Sequence, residues 1–225
     1  MKNGQKLIYA TFVVLLFTTL VLSQPMRALA DEMAGIAASA AEVQPVKTGD
    51  MAPGFTVRTV DDEPFVFDPA NLEAPTILVT FRGGWCPYCN MHLSELRHVV
   101  PELQAQGIDV LFLSGDRPEL LYKSLKLETQ EAIDGLGYTI LSDANIEAAL
   151  ALGIAFKVED ESVNRMEGRG TDLGDSSMAR FRALPVPAVY MIDKSGKVVY
   201  SFVEPDYKVR LPAEDLLTAA SRLAD

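Results

Sequence analysis

The two cysteines of the chain, Cys86 and Cys89, form a single Cys-x-x-Cys pair. A β-rich apolar stretch ends just before them at Gly83 and Gly84, and Pro87 suits the first turn of a helix. This spacing predicts that Cys86 caps a helix and that Cys89 lies three residues into it. Unpaired N–H groups and the helix dipole favour a thiolate there, and lower a cysteine pKa to about 3.5 to 7.5. The pattern predicts a reactive dithiol with Cys86 as the nucleophile.

Other uses of the pair are less consistent with the sequence. A structural disulfide across four residues would remove little entropy from the unfolded chain. A zinc site normally needs four protein ligands, and only His92 and His98 could join the cysteines. A soft ion such as Cu(I) could use the pair with Met91 or His92, although there is no further cysteine to complete such a site. The sequence favours redox chemistry without a metal or cofactor, and the two histidines are expected to be surface or packing residues.

The N-terminus has the pattern of a secretory signal. Lys2 and Lys6 precede an apolar run over residues 7–22, and Ala28-Leu29-Ala30 matches a signal-peptidase site. We expect cleavage of residues 1–30 after Ala30, and a periplasmic or secreted mature protein. Because the apolar run is shorter than the roughly 20 residues that span a bilayer, we expect no stable membrane insertion after cleavage. Anchoring by residues 7–22 is the minority alternative.

The remaining sequence suits one domain. Residues 31–46 are rich in alanine and predict a linker, and residues 47–225 are long enough to bury a substantial core. The net charge of −11 argues against a nucleic-acid partner. In an oxidising compartment the dithiol would rest as a Cys86–Cys89 disulfide unless a thiol donor delivered electrons.

Alternating strand and helix patterns predict an α/β fold with a mixed sheet. The helix after Cys86 should kink at Pro101 and end at Gly107. A second helix should begin with Asp116 as its N-cap and run to about Ile133. Residues 156–183 show little periodicity and predict a long loop. The remaining predicted elements are strands over 55–60, 64–67, 75–81, 108–113, 138–141, 188–192 and 198–203, and helices over 145–152 and 212–223.

Several segments resemble the thioredoxin superfamily, and specifically the peroxiredoxin-like branch of the alkyl hydroperoxide reductase and thiol-specific antioxidant (AhpC/TSA) family. The resemblance implies a thioredoxin-like fold, a central mixed β-sheet flanked by helices with an N-terminal β-hairpin extension. It also implies thiol-based antioxidant activity on peroxides, with a thioredoxin-like or small thiol as electron donor. The segments are Gly49-Asp50-Met51-Ala52-Pro53-Gly54-Phe55, Phe81-Arg82-Gly83-Gly84-Trp85-Cys86-Pro87-Tyr88-Cys89, Leu184-Pro185-Val186-Pro187-Ala188 and Glu204-Pro205-Asp206-Tyr207.

The same resemblance assigns supporting roles around the dithiol. It implies a cis Val186–Pro187 bond beside the cysteines, with the backbone of Val186 offered to a peptide substrate. Arg82 could stabilise a thiolate or polarise a peroxide, or be an ordinary surface residue. Trp85 is expected to pack beside the dithiol, and Pro87 to start the helix.

Two reactions of the dithiol stay open. Typical peroxiredoxins have threonine or serine three residues before the reactive cysteine and proline seven before it, where this chain has Gly83 and Val79. The spacing of Cys86 and Cys89 is that of thioredoxin and glutaredoxin. The substrate is therefore a peroxide in the leading hypothesis, and a protein disulfide of the cell envelope in the alternative.

Overall fold

A seven-stranded mixed sheet lies at the centre of the computed structural model, which describes residues 35–223. The strand order is β2-β1-β5-β4-β3-β8-β9, and β6 pairs with β7 in a separate two-stranded sheet. From Ile36 onward the chain forms one compact unit. The strands are β1 (Phe55–Arg58), β2 (Pro64–Phe67), β3 (Thr76–Phe81), β4 (Asp109–Ser114), β5 (Thr139–Ser142), β6 (Ala155–Lys157), β7 (Ala183–Pro185), β8 (Ala188–Ile192) and β9 (Val198–Val203).

Seven α-helices accompany these strands in the described part of the chain. Strands β3, β4 and β5 are parallel, and the pairs β1–β2 and β8–β9 are antiparallel hairpins. The predicted mixed sheet with flanking helices and an N-terminal hairpin is confirmed. The helices are α1 (Pro87–Leu96), α2 (Val100–Ala105), α3 (Leu127–Ile133), α4 (Glu147–Ala151), α5 (Asp160–Gly168), α6 (Ser177–Phe181) and α7 (Ala213–Ala220).

Strand β3 holds the reactive segment because it is buried on both faces. Ile77, Val79 and Phe81 belong to one apolar cluster, which also contains the buried residues of α1 and α2. Leu78 belongs to the cluster on the other face, with residues of α4. Side chains alternate between the faces of a strand, so an apolar run such as Ile77–Phe81 serves both clusters. Packing on both faces therefore fixes the position of the end of β3, which lies immediately before the glycines that lead to Cys86.

The helical segment after Cys86 is broken rather than merely kinked. Helix α1 ends at Leu96, and α2 begins at Val100 with Pro101 in its first turn. A proline is tolerated there because its missing N–H group would have no partner within the helix. Gly107 follows with φ +76°, so the predicted helix end is confirmed.

The prediction of one helix from Asp116 to Ile133 is wrong. A short 3₁₀ turn, Pro118–Leu120, is capped by Arg117, and α3 begins only at Leu127. The carboxylate of Asp116 is buried and accepts a hydrogen bond from the backbone N–H of Gly84, so it does not cap a helix. A local capping pattern was overridden by a contact distant in sequence.

The prediction of a long loop over residues 156–183 is also wrong. This segment forms β6, α5, α6 and the start of β7. Arg117 binds both carboxylate oxygens of Asp172, at 3.0 and 2.8 Å, which ties the segment to the loop after β4. The elements are short, which explains why no clear periodicity marks them. Their buried apolar cluster consists of Val163, Leu173, Met178 and Leu184.

The expected linker is described from Gly35 onward and is held to the domain by backbone hydrogen bonds. The N–H of Ala37 donates to the carbonyl of Ala155 at 3.0 Å, and the N–H of Gln44 donates to Gly153 at 3.0 Å. The expected signal peptide and its Ala30 cleavage site lie outside the described residues. Within residues 35–223, no helix has the length and apolar character needed to cross a membrane.

Candidate active site

The loop before the cysteines is fixed by Asp116. Its Oδ2 accepts hydrogen bonds from the N–H of Gly84 at 2.7 Å and from the hydroxyl of Ser124 at 2.8 Å. Gly83 has φ +155°, and a Cβ atom at Gly84 would lie 2.0 Å from the Ser124 oxygen. Both positions therefore require glycine, one for its backbone conformation and the other for close packing. Burial raises the pKa of Asp116, opposed by its hydrogen bonds.

The start of helix α1 follows the sequence prediction. Cys86 is the N-cap in an extended conformation, Pro87 is the first helical residue and Cys89 is the third. The side chain of Asn90 donates to the carbonyls of Gly84 and Cys86, at 2.6 and 2.9 Å. Its Oδ1 atom accepts from the N–H of Lys126 at 2.8 Å. This buried amide joins the glycine loop, the first turn of α1 and the segment before α3.

Both cysteines are free thiols at the base of α1. Cys86 is 1% exposed and Cys89 is completely buried. A hydrogen bond from the Cys89 thiol lowers the pKa of Cys86 from 9.0 to about 6, with support from the positive charges of Arg82 and Arg210 and against the effect of burial. Burial and the same hydrogen bond raise the pKa of Cys89. The site therefore holds Cys86 as a thiolate and Cys89 as a thiol at neutral pH.

The pKa of Cys86 sets the pH dependence of its reactivity. Because the thiolate is the reactive form, we expect the rate of alkylation by iodoacetamide to rise with a midpoint near pH 6. In Cys89→Ala the main hydrogen bond is lost, and the midpoint should move upward toward the ordinary value of 9.0. Peptide mapping by mass spectrometry follows the modification of Cys86 alone. A wild-type midpoint near 9.0 would contradict this assignment of the nucleophile.

Arg82 lies between two aromatic rings beside the cysteines. Its guanidinium carbon lies 5.2 Å from the centroid of Trp85 and 4.6 Å from that of Tyr207. Tyr88 meets Tyr207 edge to face, with centroids 5.6 Å apart. Cation–π contacts of this kind fix the direction of a guanidinium group. The alternative of an ordinary surface arginine is wrong, since Arg82 is partly buried and its Nε atom is buried without a hydrogen-bond partner among the described residues.

A second arginine approaches the pair from the C-terminal part of the chain. Arg210 donates a hydrogen bond from one terminal nitrogen to the Cys89 sulfur at 3.4 Å. The next residue, Leu211, accepts a hydrogen bond on its carbonyl from Nε2 of His92 at 3.1 Å. Burial, and then the charge of Arg210, lower the pKa of His92 to about 4. His92 is therefore a neutral packing residue that attaches the Arg210 segment to α1.

The expected cis bond at Pro187 is wrong, because there are no cis peptide bonds among the described residues. The N–H of Val186 donates to the carbonyl of Ile154 at 3.0 Å, and its carbonyl accepts from the hydroxyl of Thr80 at 3.0 Å. Val186 is also fully buried. The backbone N–H and carbonyl of Val186 were expected to bind a peptide substrate. Both are instead hydrogen-bonded within the protein, to Ile154 just before β6 and to Thr80 in β3.

A cleft of about 590 Å³ opens beside Cys86, which forms part of its lining. Of the residues singled out from the sequence, the structure brings Arg82, Trp85, Cys86 and Pro87 to this cleft, and Cys89 lies directly behind them. Val186 and Pro187 are not part of its lining. The remaining lining residues are Tyr88, Ser162, Arg165, Met166, Arg169, Thr171, Met178 and Tyr207.

Sequence reasoning missed several of the residues that build the site. Arg210 lies 121 residues from Cys89, and nothing local marks it. Asp116 had a signal, since a buried strand precedes it, but its partner Gly84 is 32 residues away. The residues of the cleft from α5 and α6 lie in the segment 156–183, which the sequence predicts as a loop. Tyr207 lies in a segment that carries the family resemblance, but the sequence predicts no function for its side chain.

The residues considered as metal ligands do not converge. Met91 is 67% exposed, His98 is exposed, and His92 is occupied by the carbonyl of Leu211. Within residues 35–223, no group of three or more histidine, cysteine or acidic side chains could hold a metal ion.

Comparison with known proteins places this geometry in a family. The AhpC/TSA family pattern matches residues 48–201. "Peroxiredoxin Bcp" of Escherichia coli strain K12 is 30% identical over 113 residues, which cover 50% of this chain and 67% of that protein. "Thiol-disulfide oxidoreductase ResA" of Bacillus thuringiensis is 19% identical over 171 residues, covering 76% of this chain and 78% of the relative.

The fold is shared with a solved structure. "Peroxidoxin BcpB" from Mycobacterium tuberculosis superposes with a TM-score of 0.57 at 17% sequence identity. The alignment covers 80% of this chain and 97% of that one. The thioredoxin-like fold implied by the motifs is therefore confirmed.

Proposed function

The chain belongs to the AhpC/TSA family and is a thiol-dependent peroxidase or oxidoreductase, and we propose that it reduces peroxides at Cys86 and resolves the product with Cys89. One observation carries this proposal: a thiolate with a pKa of about 6 lies at the edge of a cleft, next to a buried protonated thiol. A thiolate nucleophile and a resolving thiol are the two groups that such a cycle needs.

The cycle balances with the groups present and one external donor. The Cys86 thiolate attacks the terminal peroxide oxygen, the O–O bond breaks, and its electron pair leaves on an alkoxide that takes up a proton. Cys86 is then a sulfenic acid. The Cys89 thiol attacks the Cys86 sulfur, the S–S bond forms and water leaves. A thioredoxin-like or small-molecule thiol returns two electrons by thiol–disulfide exchange.

The surroundings of Cys86 favour a small oxidant over a protein disulfide. The Cys86 side chain is only 1% exposed and forms part of the cleft wall, so a small peroxide group can approach its sulfur with less rearrangement than a protein disulfide, which must bring its own backbone close to it. The backbone N–H and carbonyl of Val186 are both paired within the protein, so this residue offers no free group to such a chain. The second candidate, thiol–disulfide oxidoreduction, is favoured by the Cys-x-x-Cys pair at the start of α1 and by the similarity to "Thiol-disulfide oxidoreductase ResA".

The two candidates give opposite results with reduced protein. We expect one equivalent of an organic hydroperoxide to consume both thiols far faster than it consumes free cysteine, because the latter is mostly protonated at neutral pH. Stopped-flow measurement and thiol titration give the rate and the stoichiometry. A protein that does not react with hydroperoxides but rapidly reduces a protein disulfide would establish the second candidate instead.

We also propose that the protein acts in the periplasm or outside the cell after cleavage at Ala30. The support is the basic and apolar N-terminal pattern with its Ala-x-Ala site. Mass spectrometry of protein expressed with its N-terminus intact should find a chain that starts at Asp31. An intact N-terminus in the membrane fraction would support anchoring by residues 7–22.

A further inference from the structure

The cleft that contains Cys86 has a charge opposite to that of the protein. The chain carries 31 acidic and 20 basic residues, with a net charge of −11. The cleft is lined by three arginines, Arg82, Arg165 and Arg169, and by no acidic residue. A cleft of one sign concentrates ligands of the other sign and raises their rate of association.

The three guanidinium groups have unused hydrogen-bonding capacity. In the described residues none of them forms an ion pair. Arg165 donates to the hydroxyl of Ser162 at 3.1 Å, and Arg82 is held by its aromatic contacts. A guanidinium group has five N–H donors in a planar fork that matches a carboxylate. The cleft can therefore bind an anion without first breaking a contact within the protein.

Arg165 and Arg169 lie far from Arg82 in the sequence. They line the side of the cleft that is formed by the end of α5, whereas Arg82 follows β3. Arg165 is in the last turn of α5, and Arg169 is its C-cap. Residues four apart face the same side of a helix, so both side chains reach the cleft together. Basic residues at a helix C-terminus also stabilise the helix dipole. That role explains their charge, but it does not explain why acidic residues are absent from the rest of the cleft lining.

The other residues of the cleft suit an apolar body. Two thioether side chains and three aromatic side chains contribute to the lining, and the volume of about 590 Å³ is that of a small-molecule site. A ligand with an apolar part and one anionic group would use both kinds of surface. The apolar residues are Trp85, Tyr88, Met166, Met178 and Tyr207.

We propose that the cleft selects organic hydroperoxides whose apolar body carries a carboxylate, which Arg165 and Arg169 bind while the peroxide group reaches Cys86. This substrate class rests on the proposed peroxidase function. The carboxylate takes no part in the bond changes: the S–O bond forms at Cys86, the O–O bond breaks, and the product is the corresponding hydroxy acid. Arg165 and Arg169 are thus specificity-determining residues, and Arg82 stays beside the sulfur.

Alkylation tests the anion site without relying on peroxidase activity. Iodoacetate and iodoacetamide react with a thiolate in the same way, but only iodoacetate is negatively charged. At low salt we expect the iodoacetate-to-iodoacetamide rate ratio at Cys86 to exceed that of free cysteine by about tenfold. In Arg165→Gln/Arg169→Gln the ratio should fall toward that of free cysteine. Arg222→Gln, which changes an exposed arginine outside the cleft, should keep the wild-type ratio.

Steady-state kinetics then test the substrate class. Cumene hydroperoxide and its para-carboxylate share the apolar ring and the peroxide group, and differ in the anion. We expect kcat/KM to favour the carboxylate about tenfold in the wild type, and the preference to be lost in the double glutamine variant. Equal values for both peroxides in the wild type would overturn the inference and leave the peroxidase function intact. Failure to reduce either peroxide would overturn both, whatever the alkylation ratio.

Discussion

Cys86→Ser should lose peroxide reduction by about a thousandfold or more in kcat/KM, because the remaining thiol, Cys89, is completely buried and burial raises its pKa, which keeps it protonated and unreactive. The serine hydroxyl has the same position at the start of α1 but is not ionised at neutral pH. Peroxide consumption coupled to a thiol donor measures the loss. Circular dichroism should show an unchanged fold, since the substitution replaces one small side chain with another of similar size.

Cys89→Ser should separate the two halves of the cycle. The first oxidation still occurs at Cys86, but no thiol is available to form the intramolecular disulfide. We expect a sulfenic acid, or a mixed disulfide with added thiol, to accumulate on Cys86 and be found there by mass spectrometry after trapping with dimedone. An adduct on Cys89 in the matching Cys86→Ser protein would reverse the assignment of nucleophile and resolving residue.

Gly84→Ala should destabilise the domain strongly although it leaves the reacting groups of the site untouched. A Cβ atom there would lie 2.6 Å from the Ser124 carbonyl carbon and 2.7 Å from the Leu125 nitrogen, so backbone must move. Overpacking against backbone costs about 3 kcal/mol or more in the free energy of unfolding. For a domain of this size that corresponds to a fall in Tm of about 10 °C, measured by calorimetry.

Gly168→Ala is the matched control for this substitution. No atom lies within 4 Å of the position that its Cβ would take, and Gly168 ends helix α5 without a positive φ. It should leave Tm unchanged or raise it by no more than about 4 °C, since alanine is the better helix former by up to about 1 kcal/mol. If both alanine variants were equally stable, the close packing of the glycine loop against Ser124 would be contradicted.

The local part of the site could be predicted because it depends on neighbours in sequence. The place of Cys86 as N-cap follows from a buried strand, two glycines and Pro87 within a few residues. The strands of the central sheet were likewise marked by apolar runs bounded by turn residues. In these segments the chain's own periodicity decides the structure.

The rest of the site depends on contacts that no local pattern reveals. Arg210 donates to the Cys89 sulfur, and the carbonyl of its neighbour Leu211 accepts a hydrogen bond from His92 of α1. The residues after Asp116 match a helix N-cap pattern, but its buried carboxylate accepts a hydrogen bond from the N–H of Gly84 instead. Arg165 and Arg169 lie in the segment that the sequence predicts as a loop. Their position in the cleft lining therefore could not be predicted from the sequence.

The turn at Pro187 shows the limit of reasoning from resemblance. Motif similarity correctly identified the entry to β8, but the peptide geometry that it implied is wrong. Both backbone groups of Val186 are committed to contacts with β3 and with the approach to β6. A shared motif fixes where a strand begins, whereas the backbone beside it depends on which neighbours supply its hydrogen bonds.

The aromatic contact of Arg82 has a practical consequence for anyone who follows this protein in solution. Trp85 is the single tryptophan of the chain, and it stacks on the guanidinium group whose charge helps to hold Cys86 as a thiolate. All indole emission therefore originates within one residue of the sulfur that changes its oxidation state. The protein carries its own optical probe, and each turn of the redox cycle can be observed without attaching a dye.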